Sequence, residues 1–447
     1  MSRSTVVQVG AGLGGALAAL LLGRAGCEVR AFDMRPDPRR KGYAGGRSIN
    51  LALSARGLHA LRQVGLEQDV LAMSVPMRGR MIHDEQGRTA FQPYGTEPAH
   101  ANHSVSRGDL NVILLDAAAK EPNVHFEFDR KCVDVDPAAP SATFESAASG
   151  GGAGATETVR GDVVLGTDGA FSVVRRRLMR EDRFDFSQDY LSHGYKELTI
   201  PAAPGGGFRM AREALHIWPR GGYMMIALPN RDGSFTCTLF WPHEGANSFA
   251  ALAGAADVRR FFERRFPDAV PLLPDLAEQY LGNPTSSLVT IRCRPWHHQG
   301  KVGLLGDSCH AVVPFHGQGA NCAFEDCVVL DACVRRHPGD WSAALSEFET
   351  LRKENADALA DLSLANFVEM RDHTASRLFR VRKAFEKALY RLFPGSFMPL
   401  YMMISFSRIP YAETVRIAAR QSRTIRTAAA AAGAAVVLLV VWLMRGH

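Results

Sequence analysis

A chain of 447 residues is long enough for two or three domains and a substantial core. Its 46% hydrophobic and 22% charged residues exclude a disordered polymer. The formal net charge of +6 is modest and its basic residues are scattered, apart from runs such as Arg175-Arg176-Arg177; this argues against nucleic-acid binding and suits anionic cofactors or a membrane surface.

The N-terminal "MSRSTVVQVGAG" enters a strand pattern directly, so no secretory signal is expected. "TVVQVGAGLGGALAALLLGRAGCEVRAFDMR" then reads as strand, tight turn, apolar helix and second strand, the unit that opens a doubly wound sheet. Within it Gly10-Ala11-Gly12-Leu13-Gly14-Gly15 fits G-x-G-x-x-G, whose glycines let the backbone approach a pyrophosphate at a helix start. Asp33 ends the second strand, 18 residues after Gly15, where a carboxylate can accept both adenine-ribose hydroxyls and would repel a 2′-phosphate. The resident dinucleotide is therefore expected to be FAD or NAD, not NADP.

Short β-like runs follow from Val124 to Gly169, interrupted by "ESAASGGGAGATE", a hairpin loop without chemistry. "GTDGAFSVVRRRL" ends a buried strand with Asp168-Gly169 and places Ser172 and Arg175 at a helix start. From Tyr190 to Trp241, aromatic and β-branched runs separated by Pro, Gly and Asn predict an antiparallel sheet in a second lobe. "LLGD" returns as a buried strand ending at Gly306-Asp307, and Pro314 and Gly317-Gln318-Gly319 lead into a helix at Ala320. Helix-start N–H groups at Gly319 would stabilise the anionic edge of a reduced flavin, with Asp307 on a ribityl hydroxyl. No second complete G-x-G-x-x-G unit exists.

The eight cysteines form no Cys-x-x-Cys pair and read as reduced, mostly buried thiols of an intracellular protein. Thr427 to Met444 is 18 residues without a charge, preceded by Arg416, Arg420, Arg423 and Arg426. As a helix it is about 27 Å long, near the hydrocarbon thickness of a bilayer. It is expected to be a membrane anchor holding the body on the cytoplasmic side; the alternative is a terminal helix packed on the body.

The fold class expected is α/β, a Rossmann-like FAD-binding domain with an inserted antiparallel substrate lobe and a helical C-terminal region. The expected units are 1–180, the first part of the FAD-binding domain; 181–295, the substrate lobe; 296–340, its closing part; 341–426, the helical region; and 427–444, the anchor.

Together, the glycine, Asp-Gly and Gly-Asp segments resemble the motifs of the single-domain aromatic flavin hydroxylases. "GRSINLALSARGLHAL", "VPMRGRMIHDEQG", "QPYG", "HGYKELTIP", "ALHIWPR", "VVPFHGQGANCAFED", "LANFVEM" and "PLYMMISFSRIPY" resemble, within these, the kynurenine 3-monooxygenase family, from about Val6 to Arg420. The resemblance implies resident FAD, NADPH as a visiting co-substrate without its own Rossmann domain, and a C4a-hydroperoxide of the reduced flavin. It implies hydroxylation of L-kynurenine to 3-hydroxy-L-kynurenine with O2, in tryptophan degradation and the kynurenine route to NAD. The apolar tail also resembles that of the membrane-anchored members.

Carried over by motif, Arg80, Tyr94, Asn366 and Tyr401 are implied contacts for the amino-acid end of the substrate. A guanidinium and two phenols suit a carboxylate, and an amide can meet an ammonium. Tyr195, Met224, Ile226 and Phe240 would roof the aromatic ring, with Phe315, His316 and Gln318 on the flavin side. For FAD the resemblance adds Arg35, Ala52, Arg107, Cys132, Asp307, Ala320 and Asn321 to the glycines, Asp33, Asp168 and Gly319. Ser308-Cys309 departs from the family, which more often has small apolar residues there. No protein nucleophile, acid-base residue or metal is expected, because the cofactor carries the difficult step. A same-fold hydroxylase of another aromatic acid and a non-catalytic FAD-binding membrane scaffold are the rival readings.

Overall fold

The computed structural model describes residues 4–41, 50–95, 97, 99–146, 155–373 and 377–445. The loop read from "ESAASGGGAGATE" falls largely outside these, as does the start of "GRSINLALS", while the strands Ser141–Ser146 and Thr156–Arg160 that flank the loop pair antiparallel.

A six-stranded sheet forms the first layer. Thr5–Val9 lies at its centre between Val163–Gly166 and Glu28–Phe32, with Val124–Glu127 beyond the latter and Val302–Leu304 beyond the former. These pair in parallel, and only His297–His298 at the edge runs antiparallel. Parallel strands are covered on both faces, which is why Val6, Val7, Val163, Val164 and Leu165 are all fully buried. The helix Leu13–Arg24 is likewise buried along nearly its whole length, having alanine and leucine on every side.

A seven-stranded sheet forms the second layer, in the order Ser286–Arg294, Asp185–Ile200, Phe235–Pro242, Met224–Pro229, Ala214–Pro219, Gly79–His83, Thr89–Pro93. The antiparallel sheet expected from Tyr190 to Trp241 is present, its four strands there being antiparallel neighbours. The hairpin Gly79–Pro93 joins them from the N-terminal part of the chain, parallel to Ala214–Pro219. Strand alternation divides the side chains cleanly. Met225, Ala227, Leu239 and Trp241 pack with Phe261, Phe262 and Phe266 behind the sheet, while Met224, Ile226 and Phe240 pack forward with Phe315 and Phe367.

The C-terminal region is helical: Trp341–Val368, Arg377–Leu392, Leu400–Phe406 and Tyr411–Arg445. The fold is therefore mixed α/β with a helical C-terminal region. All eight cysteines are buried and none is in a disulfide. The anchor expected over 427–444 is not supported: among the described residues no helix is long and apolar enough to cross a membrane. That stretch continues the helix Tyr411–Arg445, with residues 426–431 exposed, and the side chains from 436 onward lie outside the described residues.

Candidate active site

The glycine turn is built for two different reasons. Gly10 has φ +105°, and a Cβ there would stand 2.5 Å from the Thr167 carbonyl oxygen; one on Gly15 would stand 2.3 Å from the Gly10 oxygen. The fold itself demands these two. Gly12, in contrast, would meet only the Arg35 guanidinium, at 3.6 Å, and Gly14 meets Ala323 at 3.6 Å. Gly12 caps the helix Leu13–Arg24 without a side-chain bond and no acid lies in its first turn, so the helix start stays open to a phosphate. This open cradle is the feature that fits a dinucleotide.

Asp33 accepts from the Ala11 N–H at 2.8 Å, from the Arg35 N–H at 2.9 Å and from the Arg35 guanidinium at 2.9 and 3.0 Å. Burial works against its charge, yet the Arg35 guanidinium and the two N–H groups hold its carboxyl below the usual carboxylate range. Both carboxylate oxygens of Asp33 are thus covered by Arg35, whose side chain is 39% exposed.

At the same end of the sheet, just past the strand Val163–Gly166, one oxygen of Asp168 accepts from the N–H groups of Val173 and Val174 at 2.7 and 3.4 Å. Its other oxygen is buried without a partner, and burial raises its pKa. Arg175 staples this helix start to the Gly-Asp loop, donating to the Ser308 and Ala170 carbonyls at 2.7 and 2.6 Å. Ser308 is structural too, its hydroxyl donating to the Gly166 carbonyl at 2.6 Å. Cys132 is buried, its thiol pushed up to about 12 by burial, with the nearby Asp168 acting the same way.

A cavity of about 300 Å³ is lined by the seven-stranded sheet, by the strands Asn50–Leu53, Val75–Met77 and Asn102–Ser106, by the segment from Asp307 to Ala320 and by Met370 and Tyr401. Arg80, Tyr94 and Tyr401 close one end; Tyr195, Met224, Ile226, Phe240, Phe315 and His316 line the cavity as well, the Phe240 and Phe315 rings lying 4.9 Å apart. Ala52, Arg107, Asp307, Gly319 and Ala320 are also part of its wall. Asp307 opens onto this space while the body surrounds it, and that enclosure raises its pKa against the pull of Arg107 and His310.

At the closed end the Arg80 guanidinium lies 4.8 Å from the Tyr401 ring centre and 6.0 Å from that of Tyr94, and the two rings stack at 5.1 Å. Burial opposes the charge of Arg80, but Tyr401, Tyr94 and Glu369 outweigh it and hold its pKa above the ordinary arginine value. Its Nε is buried without a partner, and among the described residues no carboxylate forms an ion pair with it. Burial pushes the Tyr94 phenol well up, so it stays a donor. The Tyr401 oxygen accepts from the Asn102 amide at 2.9 Å, leaving its own O–H to donate.

Several expected residues do not line the cavity. Asn366 is 6% exposed and its amide donates to the Phe315 carbonyl at 2.6 Å, so it holds the Phe315 turn. Asn321 is spent on the Ser54 N–H and the Ala52 and Gly317 carbonyls. Gln318 turns to Ser54 and Tyr411, at 3.2 and 2.9 Å. Sequence reasoning missed Asn102 and Met370, which line the cavity, and Glu369, whose charge acts on Arg80. The last two follow Asn366 by four and three positions in "LANFVEM", so helical spacing was a usable signal.

The FAD binding domain family matches residues 3–248 and 273–335. A protein of Myxococcus xanthus named kynurenine 3-monooxygenase is 50% identical over 93% of this chain and 89% of its own length. One of that name from Salinispora tropica is 48% identical over 99% and 97%, and one from Dictyostelium discoideum 44% over 92% and 89%. The solved structure of tetrameric 2-methyl-3-hydroxypyridine-5-carboxylic acid oxygenase superposes with a TM-score of 0.69 at 20% identity, covering 89% of this chain and 99% of that one. Tetracycline destructase Tet(51) superposes with a TM-score of 0.63 at 16% identity, covering 91% and 100%; these two likenesses are of fold. With an FAD-type cradle, an aromatic cavity and identity at this level over nearly its full length, the chain belongs to the kynurenine 3-monooxygenase family.

Proposed function

We propose that this protein hydroxylates L-kynurenine to 3-hydroxy-L-kynurenine with FAD, NADPH and O2, in tryptophan degradation and the route from kynurenine to NAD. The observation that carries the reading is Arg80, a cation without an ion-pair partner among the described residues, facing an aromatic-walled cavity between two phenols. An amino acid with an aromatic ring offers a carboxylate for that end and a flat apolar body for the rest. Arg80 binds the carboxylate, and Tyr94 and Tyr401 donate to it.

Gly12 and the open helix starts at Leu13 and Gly319 hold the dinucleotide, with Arg107 and Asp307 toward the ribityl chain. When bound, FAD supplies oxygen activation with electrons from NADPH. The chain orients the ring against the flavin side through Met224, Ile226 and Phe240 and keeps water from the reacting carbon. Asn366 supports this by fixing Phe315, which stacks on Phe367 with ring centres 4.3 Å apart.

The test is turnover of purified protein on L-kynurenine, anthranilate and hydroxybenzoates. NADPH consumption matched by 3-hydroxykynurenine, with the other acids poor, is expected; no kynurenine-dependent NADPH oxidation sinks the reading. Attachment to a membrane through 427–444 rests on sequence alone. It predicts that the full chain sediments with membranes and that a chain ending at Arg426 does not.

A further inference from the structure

The start of the helix Gly319–Arg336 forms part of the cavity wall, so its placement sets where its free N–H groups point. Beyond the ion pairs of Glu325 and Asp326 further along the helix, two side chains fasten its first turn. Asn321 ties it to the elbow Ala52–Ser54 by bonds of 2.9 Å to each end of that elbow. The second is Gln318, the cap residue, whose side chain makes no bond to its own helix. Its carbonyl oxygen instead accepts from the Ser54 hydroxyl at 3.2 Å and the Tyr411 hydroxyl at 2.9 Å.

Tyr411 begins the helix Tyr411–Arg445 and is wholly buried, so its phenol stays protonated and donates. Its ring lies under the Arg56 guanidinium, 4.0 Å from the centroid. Arg56 in turn pairs with Glu325 of the Gly319 helix at 2.7 Å and donates to the Ile409 carbonyl. The ring is therefore held independently of the hydroxyl, which has one visible task.

We propose that Tyr411 is a positioning residue for the flavin: through Gln318 its hydroxyl fixes the start of the Gly319 helix where the free N–H groups meet the anionic edge of the reduced cofactor. The inference rests on the FAD reading above. A helix start favours negative charge and its influence falls off within a turn, so a small displacement weakens the reduced flavin more than the neutral oxidised one. The C-terminal helix thereby acts on the cofactor without touching it.

Tyr411→Phe keeps the ring under Arg56 and removes only the hydroxyl. The readout is the reduction potential of the bound flavin, measured by dye equilibration, beside the melting temperature and the kynurenine KM. Expected is a more negative potential, a fall of at least threefold in the preference for reduced over oxidised FAD, about 14 mV at 29.6 mV per decade. The KM should stay within about twofold, because the Arg80 end is untouched. Ser54→Ala, which removes the other donor to the same oxygen, should shift the potential in the same direction. A lowered melting temperature with an unmoved potential would make Tyr411 merely structural and overturn the proposal. Should Tyr411→Phe fail to take up FAD, an unmoved potential in Ser54→Ala overturns it equally. A native chain that binds no FAD would instead overturn the reading on which the proposal rests.

Discussion

Arg80 is a half-buried guanidinium with no ion-pair partner among the described residues, its charge held by Tyr401, Tyr94 and Glu369. Substitution should separate binding from folding. Arg80→Met removes a charged hydrogen-bond donor, about 1.5–3 kcal/mol, so the kynurenine KM should rise roughly tenfold to a hundredfold. FAD content should hold, since Gly12 and the start of the Gly319 helix are untouched. An unchanged KM removes Arg80 from the site. Gly12 makes the complementary case. A methyl there meets nothing in the protein closer than 3.6 Å, so Gly12→Ala should leave the apoprotein melting temperature intact while weakening FAD binding at least tenfold, read by flavin fluorescence. Equal affinity would show that the cradle does not approach the cofactor closely. Both positions stand out in the sequence, but only the surroundings tell Gly12 from Gly10, which the fold requires.

In the seven-stranded sheet the alternation that turns Met224 and Phe240 toward the cavity turns His216 and Trp218 to the back. There His216 donates to the Ala211 carbonyl and receives from His83, which contacts Asp268 at 2.6 Å. Burial lowers His216 to about 4, with the Ala211 carbonyl opposing and His83 assisting. Its folded pKa lies below the unfolded value, so its contribution is full above pH 6.5 and is lost as pH falls from 6.5 toward 4. The loss is about 3 kcal/mol at most. Urea unfolding at pH 7 and 4.5 should show a smaller decline for His216→Gln than for the native chain; equal declines would place the sensitivity elsewhere. The strands of this sheet are legible as aromatic and β-branched runs. The hairpin Gly79–Pro93 is not legible as their neighbour, because it pairs in parallel with a strand about 135 positions away, and no local pattern encodes that partner.

The cavity exists only in the whole molecule, since Ala52, Arg80, Met224, Asp307 and Tyr401 come from opposite ends of the chain. Deleting residues after Arg426 removes none of its walls and should leave kcat/KM for kynurenine within about twofold. Ending the chain before Pro399 removes Tyr401 and Tyr411 and should abolish hydroxylation; full activity of that fragment would show that the C-terminal helices do not close the site. The sequence by itself determined the nucleotide cradle, the parallel and antiparallel layers and the family, because glycine spacing, strand patterning and motif order are local properties. Tertiary structure alone decided which named residues face the cavity. Asn366, Gln318 and Asn321 spend their amides on carbonyls, hydroxyls and N–H groups of distant segments, and Arg80 has no ion pair among the described residues. A side chain's partners are set by what the folded chain brings within about 3 Å of it, and spacing along the sequence does not contain that distance.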